Sequence, residues 1–179
     1  MVRLRVSTTS TGPWTRSLAD TAAEWHFIGH LQTNKAKFAV RLFDLIHSVD
    51  SLKLARELSR HAGKNDKTQD ILVQVNISRE GSKSGVFESE IMTLLEAVSR
   101  LENLRVRGLM TMPPFFDQPE AARPFFRRLA QLRDRIADKN IPGVEMDELS
   151  MGMTGDFEVA IEEGATLVRI GTAIFGARR

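Results

Sequence analysis

Two places near the carboxyl end of the chain set small and polar residues where an apolar strand gives way to a loop. The run ending at Leu149 opens into Ser150, Gly152, Met153 and Thr154, and the run Leu167–Ile170 opens into Gly171 and Thr172. A hydroxyl, a residue without Cβ and unpaired backbone amides are the donors that hold an oxyanion, because the backbone can approach phosphate oxygens only where no side chain intervenes. In barrels of alternating strands and helices, the loops after the last two strands form the recurrent phosphate site. The expected chemistry is therefore binding of a phosphorylated small molecule by the Ser150 hydroxyl, the Gly152 and Met153 amides, and Gly171 with Thr172. The alternative is that the glycines only form turns and that Ser150 and Thr154 cap helices.

Other residues narrow the chemistry. Arg169 stands in a strand where an apolar residue would be ordinary, and its structural alternative is a salt bridge to Glu145 or Asp147. His26 and His30 lie four apart, but WHFIGH reads as a strand and turn, in which two imidazoles need not converge, and no acidic or Cys cluster completes a metal site. His47 and His61 carry no functional signal. The chain has no Cys and no Tyr, which removes thiolate nucleophiles, zinc-thiolate sites and any phenolic acid or base. No residue is assigned a catalytic role and no metal is expected.

The elements that must position these groups follow from the pattern. Short apolar runs at Trp25–Ile28, Leu45–Val49, Ile71–Ile77, Leu104–Met110, Val144–Leu149 and Thr166–Ile170 read as strands, and runs such as ILVQVNI with little alternation suit a parallel sheet covered by helices. Between them, Ile91, Leu94, Leu95, Val98 and Leu101, and then Phe125, Leu129, Leu132 and Ile136, recur at helical spacing. Asp50 or Ser51 is expected to cap one helix, and Thr154 the helix ending near Glu163. The 179 residues, 42% hydrophobic and 27% charged, describe one ordinary globular domain with no run long enough to cross a bilayer. A net charge of +2 does not point to nucleic acid, and the absence of Cys fits a reducing compartment such as the cytoplasm.

The motifs WHFIGHLQTNKAK, VQVNIS with SKSG, GLMTMPP and SMGMTGDFEVAIEEGATLVRIGTAIFG, in this order, resemble the pyridoxal phosphate homeostasis proteins. The resemblance runs from about Ser17 to the C-terminus. It implies an α/β fold, a (β/α)8 TIM-type barrel of the alanine racemase N-terminal-domain kind, that carries pyridoxal 5′-phosphate without a settled reaction and buffers or delivers it to client enzymes that depend on it. It further implies that the Arg169 guanidinium faces the pyridine nitrogen or a phosphate oxygen, that His26 lines the pocket beneath the ring, and that Met110 packs on the ring. Core roles for His26 and Met110 stay open beside these.

The chain departs from the family at its front. The family's first strand bears the lysine that forms an imine with the cofactor, and its second carries a GENY-like motif. Here no Lys precedes Lys35 and no GENY occurs. Only about six strand–helix units are visible where a closed barrel has eight, so the barrel is expected to lack or replace its first one or two units. Residues 1–16 form an atypical segment with one short strand at Val2–Val6, and 17–179 form the partial barrel. Lys83 in SKSG, after a strand end, is the one lysine that could approach the cofactor and form an imine, its alternative being a solvated loop lysine. The expected function is noncatalytic cofactor binding with weak or noncovalent holding. An amino-acid racemase-like enzyme and a truncated remnant without cofactor are the alternatives.

Overall fold

From the second described strand onward strands and helices alternate, and every described strand runs in the same direction. The computed structural model describes residues 5–8, 23–81 and 84–176. Strands β1 (Arg5–Thr8), β2 (Glu24–Phe27), β3 (Leu45–Val49), β4 (Gln69–Gln74), β5 (Leu104–Met110), β6 (Val144–Met153) and β7 (Leu167–Arg169) form one parallel sheet in sequence order. Helices α1 (Ala36–Leu42), α2 (Leu52–Gly63), α3 (Ile91–Val98), α4 (Arg123–Ala137), α5 (Phe157–Glu162) and α6 (Thr172–Phe175) follow β2 to β7 in turn. Neighbouring order with parallel pairing is the topology of a barrel wall. Among the described residues β1 pairs only with β2, and β7 only with β6, so these residues form a partial barrel of seven parallel strands. The expected strand Val2–Val6 falls within the described residues only at Arg5 and Val6, which belong to β1, and Val6 pairs with Trp25 of β2.

Side chains alternate across the wall, as the period of two requires. Outward residues of successive strands, among them Phe27, Ile46, Ile71, Val73, Leu109 and Leu149, pack against Leu58, Leu95, Phe126 and Leu129 of the helices in one large core. Inward residues make a second, smaller cluster of Leu45, Leu72, Met110 and Leu167. Helix α2 shows how the sequence builds the outer layer. Ser51 accepts a hydrogen bond from the Leu54 amide, and Leu54, Ala55, Leu58 and Ala62 then fall on one buried face. Each fully buried Leu there contributes roughly 1.5–3 kcal/mol. In α4 Phe126, in place of the expected Phe125, joins Leu129, Leu132 and Ile136 on the buried face, whereas Phe125 is partly buried and packs on Phe116 at 5.6 Å between ring centroids.

Two glycines are required by close approach. Gly108 has φ +156°, and a Cβ there would lie 1.9 Å from the Glu148 carbonyl oxygen on the neighbouring strand. Gly152 has φ +89°, and a Cβ would lie 2.6 Å from the Cβ of Ala160 in α5. The second glycine lets the helix after β6 pack directly on the strand end.

Candidate functional site at the carboxyl end of the sheet

Arg169 closes β7 with its guanidinium turned into the barrel. Nη1 donates to Ser150 Oγ at 2.7 Å and Nη2 donates to the Thr111 carbonyl at 2.9 Å. Thr111 itself is fixed through its hydroxyl, which donates to the Val75 carbonyl at 2.9 Å. The side chain is only 9% exposed, and burial pulls its pKa down to about 10, with the charge of Asp156 acting in the opposite sense. An arginine with that value is still a cation at neutral pH. Among the described residues it forms no salt bridge, and the acids considered as partners, Glu145 and Asp147, instead face Arg107, at 2.9 and 3.5 Å. A desolvated cation held by two neutral oxygens is a place for an acceptor or an anion.

Ser150 has no exposed surface. Besides Arg169, its Oγ meets His47 Nδ1 at 2.9 Å, and His47 Nε2 meets His26 Nδ1 at 3.0 Å. The His26 and His47 rings are 5.0 Å apart between centroids and tilted by 51°. His26 Nε2 lies 3.9 Å from Glu24 Oε2, and His26 borders a cavity of about 150 Å³ at the opposite mouth of the barrel, with Glu24, Asp44, Asp70, Arg107 and Glu148. Ser150 and Arg169 are thus in direct contact, and among the described residues His26 is linked to them through His47. His30 is exposed and takes no part. His47, without functional signal in the sequence, is the centre of the chain of contacts. The legible signal was register: His47 follows Leu45 by two on an inward face, a polar residue in a strand buried at every position.

The remaining predicted residues separate into two groups. Gly171 and Thr172 follow Arg169 after Ile170 and are exposed; Gly171 is the N-cap and Thr172 the first residue of α6, whose leading amides have no acceptor within the helix. Gly171 has φ −118°, and a Cβ there would meet nothing within 4 Å, so it opens space without needing an unusual backbone. The other group is engaged by the protein. The Met153 amide, expected to bind phosphate, donates to Asp156 Oδ1 at 2.6 Å, and Asp156 in place of Thr154 occupies the N-cap position of α5. Gly152 is committed to packing on Ala160. Met110 has no exposed surface and belongs to the inner apolar cluster, because its register partners Gln74 and Ser150 hold it within the wall. Lys83 lies outside the described residues.

This arrangement, a parallel wall whose last strand carries an inward arginine, can be set beside known proteins. Residues 15–179 match the alanine racemase N-terminal domain, and the pyridoxal phosphate homeostasis protein of Aquifex aeolicus is 49% identical over 163 residues, 91% of this chain and 71% of that one. The chain belongs to the pyridoxal phosphate homeostasis proteins. Across the relatives of this family that it matches, it spans about two thirds of their length. The structure of PipY of Synechococcus elongatus with PLP bound superposes with a TM-score of 0.81 at 34% identity, over 90% of this chain and 75% of that one. Alanine racemase of Clostridium difficile, 16% identical over 98% of this chain and 45% of its own, shares the fold with a TM-score of 0.70. Among the described residues no helix is long and apolar enough to cross a membrane, and no group of His, Cys, Asp and Glu could hold a metal.

Proposed function

We propose that this chain is a noncatalytic pyridoxal 5′-phosphate-binding protein of intracellular cofactor homeostasis, acting in the cytoplasm and exchanging cofactor with dependent client enzymes. The observation that carries the reading is the buried Arg169 guanidinium, desolvated and without a salt bridge among the described residues, three positions before the exposed Thr172. When bound, pyridoxal 5′-phosphate supplies a phosphate dianion, a pyridine nitrogen that accepts a hydrogen bond, and an aldehyde. The donor set fits the first two. Gly171 and Thr172 would hold phosphate oxygens through amides and a hydroxyl, and Arg169 would face the pyridine nitrogen. Ser150, Gly152, Met153, His26 and Met110 support these groups from the strands.

The same residues disfavour catalysis. Arg169 remains protonated when it donates, so it does not hand a proton to the pyridine nitrogen, and the ring is a weak electron sink. A racemase needs two opposed bases, and the chain offers no Tyr for one of them. Holding is noncovalent in this reading, and the cofactor exchanges readily.

Absorbance titration of the purified chain with pyridoxal 5′-phosphate tests this. The expected result is saturable binding, loss of cofactor on dialysis, and no lysine peptide labelled after borohydride. A titration indistinguishable from free cofactor would overturn the binding. A labelled Lys83 would overturn the noncovalent part alone.

A further inference from the structure

The buried contacts behind Arg169 have a fixed direction. Ser150 Oγ accepts from Arg169 Nη1, so the serine hydrogen must find another acceptor, and a hydroxyl with no exposed surface cannot give it to bulk water. The partner in reach is His47 Nδ1, 2.9 Å away. His47 Nδ1 is then bare, which places the single proton of a neutral imidazole on Nε2, where it donates to His26 Nδ1 at 3.0 Å. His26 in turn carries its proton on Nε2, the nitrogen 3.9 Å from the Glu24 carboxylate. The order Arg169, Ser150, His47, His26 runs from a cation toward the Glu24 carboxylate 3.9 Å beyond, with every donor of the three bonds pointing the same way, an arrangement in which successive bonds polarise one another.

We infer that His47 is a positioning residue for the cofactor ring: by accepting the Ser150 hydrogen it orients the hydroxyl that holds Arg169 against the pyridine nitrogen. This rests on the cofactor reading above for its consequence, although the tautomers do not. If His47 carried its proton on Nδ1, Ser150 would accept twice and its own hydrogen would be left without an acceptor among these contacts. Thr111 fixes the other arm of the guanidinium, so the arginine would be held at one point instead of two whenever the serine turns away.

Two measurements test it. Long-range proton–nitrogen correlation spectra of the imidazoles, recorded on the protein without ligand, are expected to show both His26 and His47 as neutral Nε2–H tautomers. A proton on His47 Nδ1 would overturn the inference. The second measurement splits the two bonds of His47. In His47→Asn the amide oxygen takes the place of Nδ1 and still accepts from Ser150, whereas in His47→Gln the amide nitrogen takes the place of Nε2 and the serine is released. His47→Asn is expected to keep the wild-type absorbance maximum of bound pyridoxal 5′-phosphate and most of its affinity, while His47→Gln shifts the maximum and weakens binding about tenfold. Variants that melt like wild type yet bind with unchanged affinity and spectrum would overturn it. A wild-type protein that does not saturate with cofactor removes the cofactor reading and the ring-positioning role, and leaves the tautomer spectra to judge the hydrogen-bond order separately.

Discussion

The two mouths of the barrel handle charge in opposite ways. At the amino-terminal mouth, Asp70 receives both Arg105 Nε at 2.8 Å and Arg105 Nη2 at 2.9 Å, and Arg107 lies within 3.5 Å of Asp70, Glu145 and Asp147. Each cation there has carboxylates around it. At the carboxyl-terminal mouth Arg169 is held by a hydroxyl and a carbonyl. Compensated charge stabilises a wall and asks for nothing more, whereas a desolvated cation between neutral oxygens is completed by an outside acceptor. In the proposed reading the contrast separates a structural end from a binding end in strands of similar composition.

That contrast can be broken by substitution, beginning at the wall itself. Gly108→Ala forces a Cβ into the Glu148 carbonyl, 1.9 Å away, and should lower stability by about 3 kcal/mol in chemical denaturation. Next comes the binding end. Arg169→Ala should weaken pyridoxal 5′-phosphate by about 30- to 100-fold in absorbance titration, the worth of a charged hydrogen bond in a dry site. Arg107→Ala is its mirror at the structural end: stability should fall by about 1 kcal/mol, since this network is partly solvated, while affinity stays at the wild-type value. A tenfold loss of affinity in Arg107→Ala would erase the distinction between the mouths. Thr172→Ala removes one exposed hydroxyl and should weaken the cofactor only about fivefold.

The effect of acid sharpens the picture of what holds the binding end in place. Hydrogen bonds from Arg127 and Arg123 keep the Glu163 carboxyl below its ordinary 4.5, and these pairs tie α4 to α5 beside the end of β6. Because the folded value lies under the unfolded one, their contribution is complete above pH 4.5 and is lost as pH falls through the folded value. The melting temperature should drop over that range, and Arg127→Ala should make the drop shallower.

Much of the wall was legible because burial on both faces leaves near-continuous apolar runs. The limits of β3 and β5 coincide with the apolar runs Leu45–Val49 and Leu104–Met110, and Ser51 caps α2 as its position suggested. Strand β6 extends further than the expected Val144–Leu149, through Ser150 to Met153, because β7 pairs with it there and Gly152 tolerates the packing of α5. The binding end was legible as a region and less so atom by atom. Ser150, Gly152 and Met153 have the residue types of a phosphate loop, yet their hydroxyl, close approach and amide are engaged by Arg169, Ala160 and Asp156. Such partners lie far away in sequence or depend on which way a strand faces. His47 was missed for the same reason: its bond to Ser150 spans 103 residues.

A crystal structure of the chain soaked in pyridoxal 5′-phosphate tests the central claim most directly. The account places the phosphate on Gly171 and Thr172 and the pyridine nitrogen against Arg169, with Ser150 still bound to the guanidinium. Cofactor found elsewhere, or an intact barrel with Arg169 unchanged and nothing beside it at saturating concentration, would contradict it.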